Sequence, residues 1–188
     1  MTVGVDRCCN VTSPFAAQTS GDAPCTILAH MQLMMTAGSG TAEDWTTHLI
    51  DDAAGIRGLL ARTHRVAVLG IKSSAATDAP AYYVPAYAQR AGYEIVPVPV
   101  YYPDVVEILG QPVYRTLSAI PGAVDMVNVF RRSGSIDAHV DDILAKRPAS
   151  VWFQLGIRND AAAERFARAG IDVVQDRCLL VELQAIGR

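Results

Sequence analysis

No apolar run in this chain approaches the roughly 20 residues that a helix needs to cross a bilayer. The apolar patch nearest the start, Thr26 to Met35, is interrupted by His30 and Gln32. No cluster of positive charge precedes it, so it does not read as a secretory signal. Cysteine is scarce as well. Cys8, Cys9, Cys25 and Cys178 include no CxxC pair, which excludes a disulfide framework and a zinc site and makes a reducing cytoplasm the simplest compartment. A net charge of −3 supplies no long-range attraction for nucleic acid or anionic lipid, so neither is an expected partner. Also missing are a nucleophile elbow in Ser-His-Asp order, paired carboxylates at a strand end, and metal ligands at i, i+4 spacing. No catalytic residue and no metal site is assigned.

What is present is a globular composition. The 188 residues fit one domain with room for a core, and 51% hydrophobic with 19% charged residues is ordinary for a folded chain. Residues 1–42 carry Ser, Thr, Gly, Pro and Ala without sustained periodicity and are expected to be disordered or loosely docked. Translation beginning near Met34 or Met35 is one reading of that segment. Residues 43–188 are expected to form the domain.

Apolar residues recur at helical spacing from Asp44 to Thr63, with acids early and Arg57 and Arg62 late, which predicts one leading helix. Arg65 to Leu69 is a short β-branched run of the kind buried on both faces of a parallel sheet. It stops at Gly70. A hydroxylated loop (Lys72, Ser73, Ser74, Thr77, Asp78) follows, then a helix ending at Gly92. Further strands are predicted over Tyr93–Val98, Asp125–Phe130, Ser150–Leu155 and Ile171–Val174, with a short edge strand at Gln111–Tyr114. One or two turns of helix are expected over Thr116–Ile120, and helices from a cap at Ser135 or Asp137 to Lys146, from a cap at Asn159 or Asp160 to Arg168, and over Cys178–Ile186. Strands alternating with helices at this pitch mean an α/β, doubly wound, mostly parallel Rossmann-like sheet with helices on both faces.

Ligands of such sheets bind beyond the carboxyl ends of the strands, where strand order reverses. Strand, glycine, loop, helix is an arrangement that holds phosphate, because free N–H groups of the loop and first helical turn face the anion. The GxGxxG fingerprint and the Gly-Lys-Ser/Thr of a P-loop are both absent. Lys72, Ser73, Arg131 and Arg132 are candidates to neutralise phosphate. Gln154 places an amide in an apolar strand end, where it needs a partner that a ligand would supply. His139 reads as surface or core. Cys178, beside Arg177, is the one candidate nucleophile.

Several segments in this order, VAVLG at 66–70, YYVPAYAQRAGYEIVPV at 82–98, VYRTLSAIPGAVDMVNVFRR at 113–132, VWFQLGI at 151–157, AGIDVV at 169–174 and DRCLLVE at 176–182, closely resemble the small stand-alone bacterial CoA-binding proteins. These are related in fold to the CoA-binding domain of the succinyl-CoA synthetase α subunit. The resemblance implies coenzyme A or an acyl-CoA as ligand, with no evident catalysis by the chain itself. It implies phosphates over Gly70, Ile71, Lys72 and Ser73, with further contacts at Val98, around Val129, Phe130 and Arg131, and at Gln154 and Gly156. Family members commonly carry Val-Asn-Pro and a basic residue after the second strand. Here the chain reads Val98-Pro99-Val100-Tyr101. Two alternatives stand beside this reading: an acyl-CoA-using enzyme or subunit with Cys178 as acceptor, and an NAD(P)-binding oxidoreductase. The missing GxGxxG and the lack of an acid after the second strand count against the last.

Overall fold

The computed structural model describes residues 44–188. The expectations for residues 1–42, including the alternative start and three of the cysteines, lie outside the described residues. Five strands form one parallel sheet: β1 Arg65–Leu69, β2 Glu94–Val98, β5 Met126–Val129, β6 Ser150–Phe153 and β7 Asp172–Val174, in the order β2-β1-β5-β6-β7. Between β2 and β5 lies a small antiparallel pair, β3 Glu107–Ile108 and β4 Gln111–Pro112. The helices are α1 Ala53–Arg62, α2 Pro80–Arg90, α3 Asp137–Lys146, α4 Asp160–Arg168 and α5 Leu179–Ala185.

Alternation along the strands builds two cores. Ala67, Leu69, Val127, Val129, Val151 and Phe153 face α3 and α4, where Val140, Ile143 and Phe166 close over them. Their neighbours Val66, Val68, Met126 and Trp152 face α1, α2 and α5, meeting Ile56, Leu60, Val84 and Leu183. Both faces of each strand are thereby covered, which is why the strand sequences are near-continuous apolar runs. The expected α/β doubly wound architecture is present. The chain starts near the middle of the sheet, adds β2 on one side, and returns past β1 to add β5, β6 and β7 on the other.

Three local expectations are corrected. The segment from Asp44 is a short 3-10 turn, Trp45–His48, followed by a break and then α1. Leu49 forms a parallel bridge with Val173, and the Ile50 N–H donates to the Val173 carbonyl at 2.8 Å, which pulls these residues into extended backbone. Asp52 then caps α1, its Oδ1 accepting from the N–H groups of Ala54 and Gly55, both at 2.9 Å. Gly55 is needed there, because a Cβ would lie 2.8 Å from Ile50 Cγ2. Residues Thr116–Ile120 form a single turn, held by Asp142, whose carboxylate accepts from the N–H groups of Leu117 at 2.7 Å and Ser118 at 3.0 Å. Finally, α3 begins after Ile136 without a side-chain cap. Ser135 lies in a preceding 3-10 turn, and Asp137 Oδ1 instead accepts from Asn159 Nδ2 at 2.9 Å. The short strand near Gln111 pairs with β3 through Leu109 and Gly110, both at positive φ, as a tight hairpin turn requires.

Candidate functional site

Strand order reverses between β1 and β5, so the crevice at their carboxyl ends is where this architecture admits a ligand. Gly70 makes that crevice possible. Its φ is +88°, and a Cβ at this position would stand 2.6 Å from the Phe130 carbonyl oxygen and 3.1 Å from Arg131 Cδ. No other residue type lets β1 turn so close to the end of β5. The Gly70 N–H donates to the Val98 carbonyl at 2.8 Å, and the Lys72 N–H to the Ala81 carbonyl at 3.0 Å. Two of the amides expected to face an anion are therefore engaged within the protein.

The crevice is about 350 Å³ and is walled by Gly70, Lys72, Tyr101, Arg131, Arg132 and Ser135, together with Ala81 and Phe130. No carboxylate among the described residues lines it. Among the described residues, none of Lys72, Arg131 and Arg132 has an ion-pair partner. Arg131 Nε is buried and lacks a hydrogen-bond partner among these residues, an arrangement that costs free energy unless something else accepts. Two of the cations flank one aromatic ring: Lys72 Nζ lies 4.9 Å and Arg131 Cζ 5.5 Å from the Tyr101 ring centroid. Arg131 holds the Tyr101 phenol below the ordinary tyrosine value, through a hydrogen-bonding contact first and its charge second. Three cations around so small a space, with no acid beside them, suit a multiply charged anion.

Two clefts border the crevice, one sharing Tyr101 with it and the other sharing Lys72, Ala81, Phe130, Arg131 and Arg132. One, about 580 Å³, lies at the end of β2 and is the more polar of the two, with Arg115, Thr116, His139 and Asp142 beside Tyr101 and the apolar Leu69, Pro99, Val100, Pro103 and Ala138. Arg115 holds the loop that carries the tyrosines, donating to the carbonyls of Tyr102, Pro103 and Val105 at 3.1, 2.8 and 2.6 Å. Burial first, and the Arg131 charge second, keep His139 below the ordinary histidine value, against the opposing pull of Asp142. The other cleft, about 520 Å³, lies at the end of β6 between α2 and the start of α5, and includes Gln154, Leu155, Gly156 and Cys178.

Of the residues singled out in the sequence, Gly70, Lys72, Phe130, Arg131 and Arg132 meet at the crevice, while Gln154, Gly156 and Cys178 lie in the β6-end cleft. The others present no side chain to it. Ile71 packs in the core beneath α1 and α2, and Val98 and Val129 in the core beneath α3 and α4. Ser73 is buried, its carbonyl accepting from the Ala76 N–H at 3.0 Å. The Gln154 amide has partners within the protein: Nε2 donates to Asn128 Oδ1 at 2.9 Å, and Oε1 accepts from the Leu179 N–H at 3.3 Å. The polar group left unpartnered in this network, among the described residues, is Nδ2 of the fully buried Asn128. Sequence reasoning passed over Asn128, Tyr101 and Arg115. An asparagine within an apolar strand was the signal for the first, and an aromatic pair just past a strand end for the second. Arg115 had none, since its role depends on a loop ten residues away.

The family model described as a CoA binding domain matches residues 64–184, which run from the start of β1 into α5. The uncharacterized protein YneT of Bacillus subtilis (strain 168) is 35% identical over 128 residues, covering 68% of this chain and 91% of that one. A Thermus thermophilus structure, of cell-free ID.343, has 34% identity and a TM-score of 0.66, covering 72% of this chain and 99% of its own. A hypothetical protein from Pyrococcus horikoshii OT3 has 27% identity and a TM-score of 0.65, covering 72% and 92%. Among the described residues, no helix is long and apolar enough to cross a membrane.

Proposed function

This chain belongs to the CoA-binding domain family, and from that premise we propose that it binds coenzyme A or an acyl-CoA along the carboxyl rim of its sheet. The observation that carries the proposal is the cluster of Lys72, Arg131 and Arg132 around one crevice, with no carboxylate of the described residues lining it, at the point where strand order reverses. A diphosphate is the part of coenzyme A that such a cluster fits. Its oxygens would accept from the Lys72 ammonium and the guanidinium groups, including the Arg131 Nε that has no partner among the described residues. Adenosine would extend toward the polar cleft, where Tyr101 offers a ring face and Thr116, His139 and Asp142 offer polar groups. Pantetheine would run toward Gln154 and Gly156, where the backbone turns at positive φ.

Binding, rather than catalysis, is the activity this reading assigns. Cys178 lines the pantetheine end and is partly exposed, so the acceptor alternative has a direct check: incubation with acetyl-CoA followed by intact-mass measurement is expected to show no acetyl adduct. The reading itself is tested by thermal unfolding with increasing CoA, NAD and NADP. CoA should raise the unfolding temperature in the logarithmic manner of a ligand bound only to the folded state. Stabilisation by NAD or NADP with none by CoA would replace this assignment with the oxidoreductase one.

A further inference from the structure

We propose that the cleft at the end of β6 receives the apolar acyl chain of a thioester, so that the protein prefers apolar acyl-CoA to free CoA. The proposal rests on the CoA reading above and adds to it the class of acyl group.

The lining of the cleft divides in two. The residues it shares with the anion crevice include Lys72, Arg131 and Arg132. Those it has to itself are almost all apolar: Pro80, Tyr83 and Val84 from the first turns of α2, and Leu155 and Ile157 from the turn after β6. Among the described residues, neither part contains a carboxylate. Leu155 is 68% exposed and Tyr83 42% exposed, so two large apolar side chains stand in water at the border of the same concave surface. Such surface is stabilised by an apolar occupant. Gln154, the polar side chain among the residues it does not share, has its amide engaged by Asn128 and the Leu179 N–H and so demands no polar partner from a ligand.

Direction follows from the contrast between the two clefts. A CoA ester with its diphosphate in the crevice must send its base one way and its acyl end the other. The β2-end cleft carries the Tyr101 ring with His139 and Thr116 beside it, groups that suit a base and a ribose. The β6-end cleft offers hydrocarbon. Its volume of about 520 Å³ accommodates the end of pantetheine together with a short chain, and the wall it shares with the crevice, Lys72, Ala81, Phe130, Arg131 and Arg132, sets the two side by side for one molecule to span.

The test is calorimetric titration of the whole chain with CoA, acetyl-CoA, hexanoyl-CoA and succinyl-CoA. Affinity is expected to rise from acetyl- to hexanoyl-CoA by about fourfold for each methylene buried, while succinyl-CoA gains nothing comparable. In Leu155→Asp the ratio of hexanoyl-CoA to CoA affinity should fall toward one. That ratio is insensitive to a general loss of binding, and Leu155 is exposed enough for the substitution to leave the fold intact. A flat series in the wild type, a ratio preserved in Leu155→Asp, or tighter binding of succinyl- than hexanoyl-CoA would overturn the proposal. If CoA itself did not bind, the CoA reading would fall first, a result readily told apart from CoA binding without chain-length preference.

Discussion

Gly70 and Gly156 both sit at positive φ near a strand end, yet they differ in what surrounds them. A side chain at Gly156 meets nothing within 4 Å, whereas at Gly70 it meets the Phe130 carbonyl oxygen at 2.6 Å. Gly156→Ala therefore carries only the left-handed backbone cost, about 1–2 kcal/mol. Gly70→Ala adds a clash with main chain and should lose clearly more stability in urea unfolding, together with the crevice geometry. Equal losses would mean that the close approach of β1 and β5 does not matter. Arg131 offers a second single-residue check. Because it holds the Tyr101 phenol below its ordinary value, Arg131→Ala should return that phenol upward in a spectroscopic pH titration. The same variant is expected to weaken CoA binding about tenfold or more, the effect of deleting a hydrogen bond to a charged group. An unchanged phenol titration would show that the two side chains are not in contact.

At the scale of elements, the α1 cap carries a pH signature. The Gly55 N–H first, and the Ala54 N–H next, hold the Asp52 carboxyl below the ordinary aspartate value of 3.8. A carboxylate depressed in the folded state contributes stability above its unfolded value and loses that contribution as pH falls through the folded one. The thermal stability gap between wild type and Asp52→Ala should be full at neutral pH and close only under the ordinary value of 3.8, as the pH falls through the lowered folded-state one. A gap independent of pH would contradict the cap. The five core strands were legible in the sequence because each is buried on both faces, and a continuous β-branched run bounded by Gly or Pro has few other readings. The break at Leu49–Asp52 was not, because it comes from a long-range bridge to Val173 that outweighs helical periodicity. The turn at Thr116–Ile120 was misread for a similar reason, since Asp142 satisfies its amides from another element. The crevice itself was half legible. Gly70, Lys72 and Arg131 lie at predicted strand ends, but the sheet register had to be known before Tyr101 could be placed between two cations. Ile71, Val98 and Val129 stood at the right positions in the chain, yet alternation turns their side chains into the core.

For the molecule as a whole, the anion site does not follow from net charge, which is −3. It arises because the parallel sheet brings Lys72, Arg131 and Arg132 from two separate loops to one reversal point, while acids such as Asp172 pair with His48 and Arg62 elsewhere. Such an exposed cluster acts at short range and is screened by salt. CoA affinity should therefore fall steadily between low and physiological ionic strength, and an affinity indifferent to salt would move the binding energy away from the phosphates. The most direct measurement is a crystal structure of the chain grown with CoA. The diphosphate is expected within about 3 Å hydrogen-bonding distance of Lys72 and Arg131, beside Gly70, with the thiol end near Leu155. Ligand density elsewhere on the molecule, with Tyr101 and the three cations closing over an empty crevice, would contradict the account.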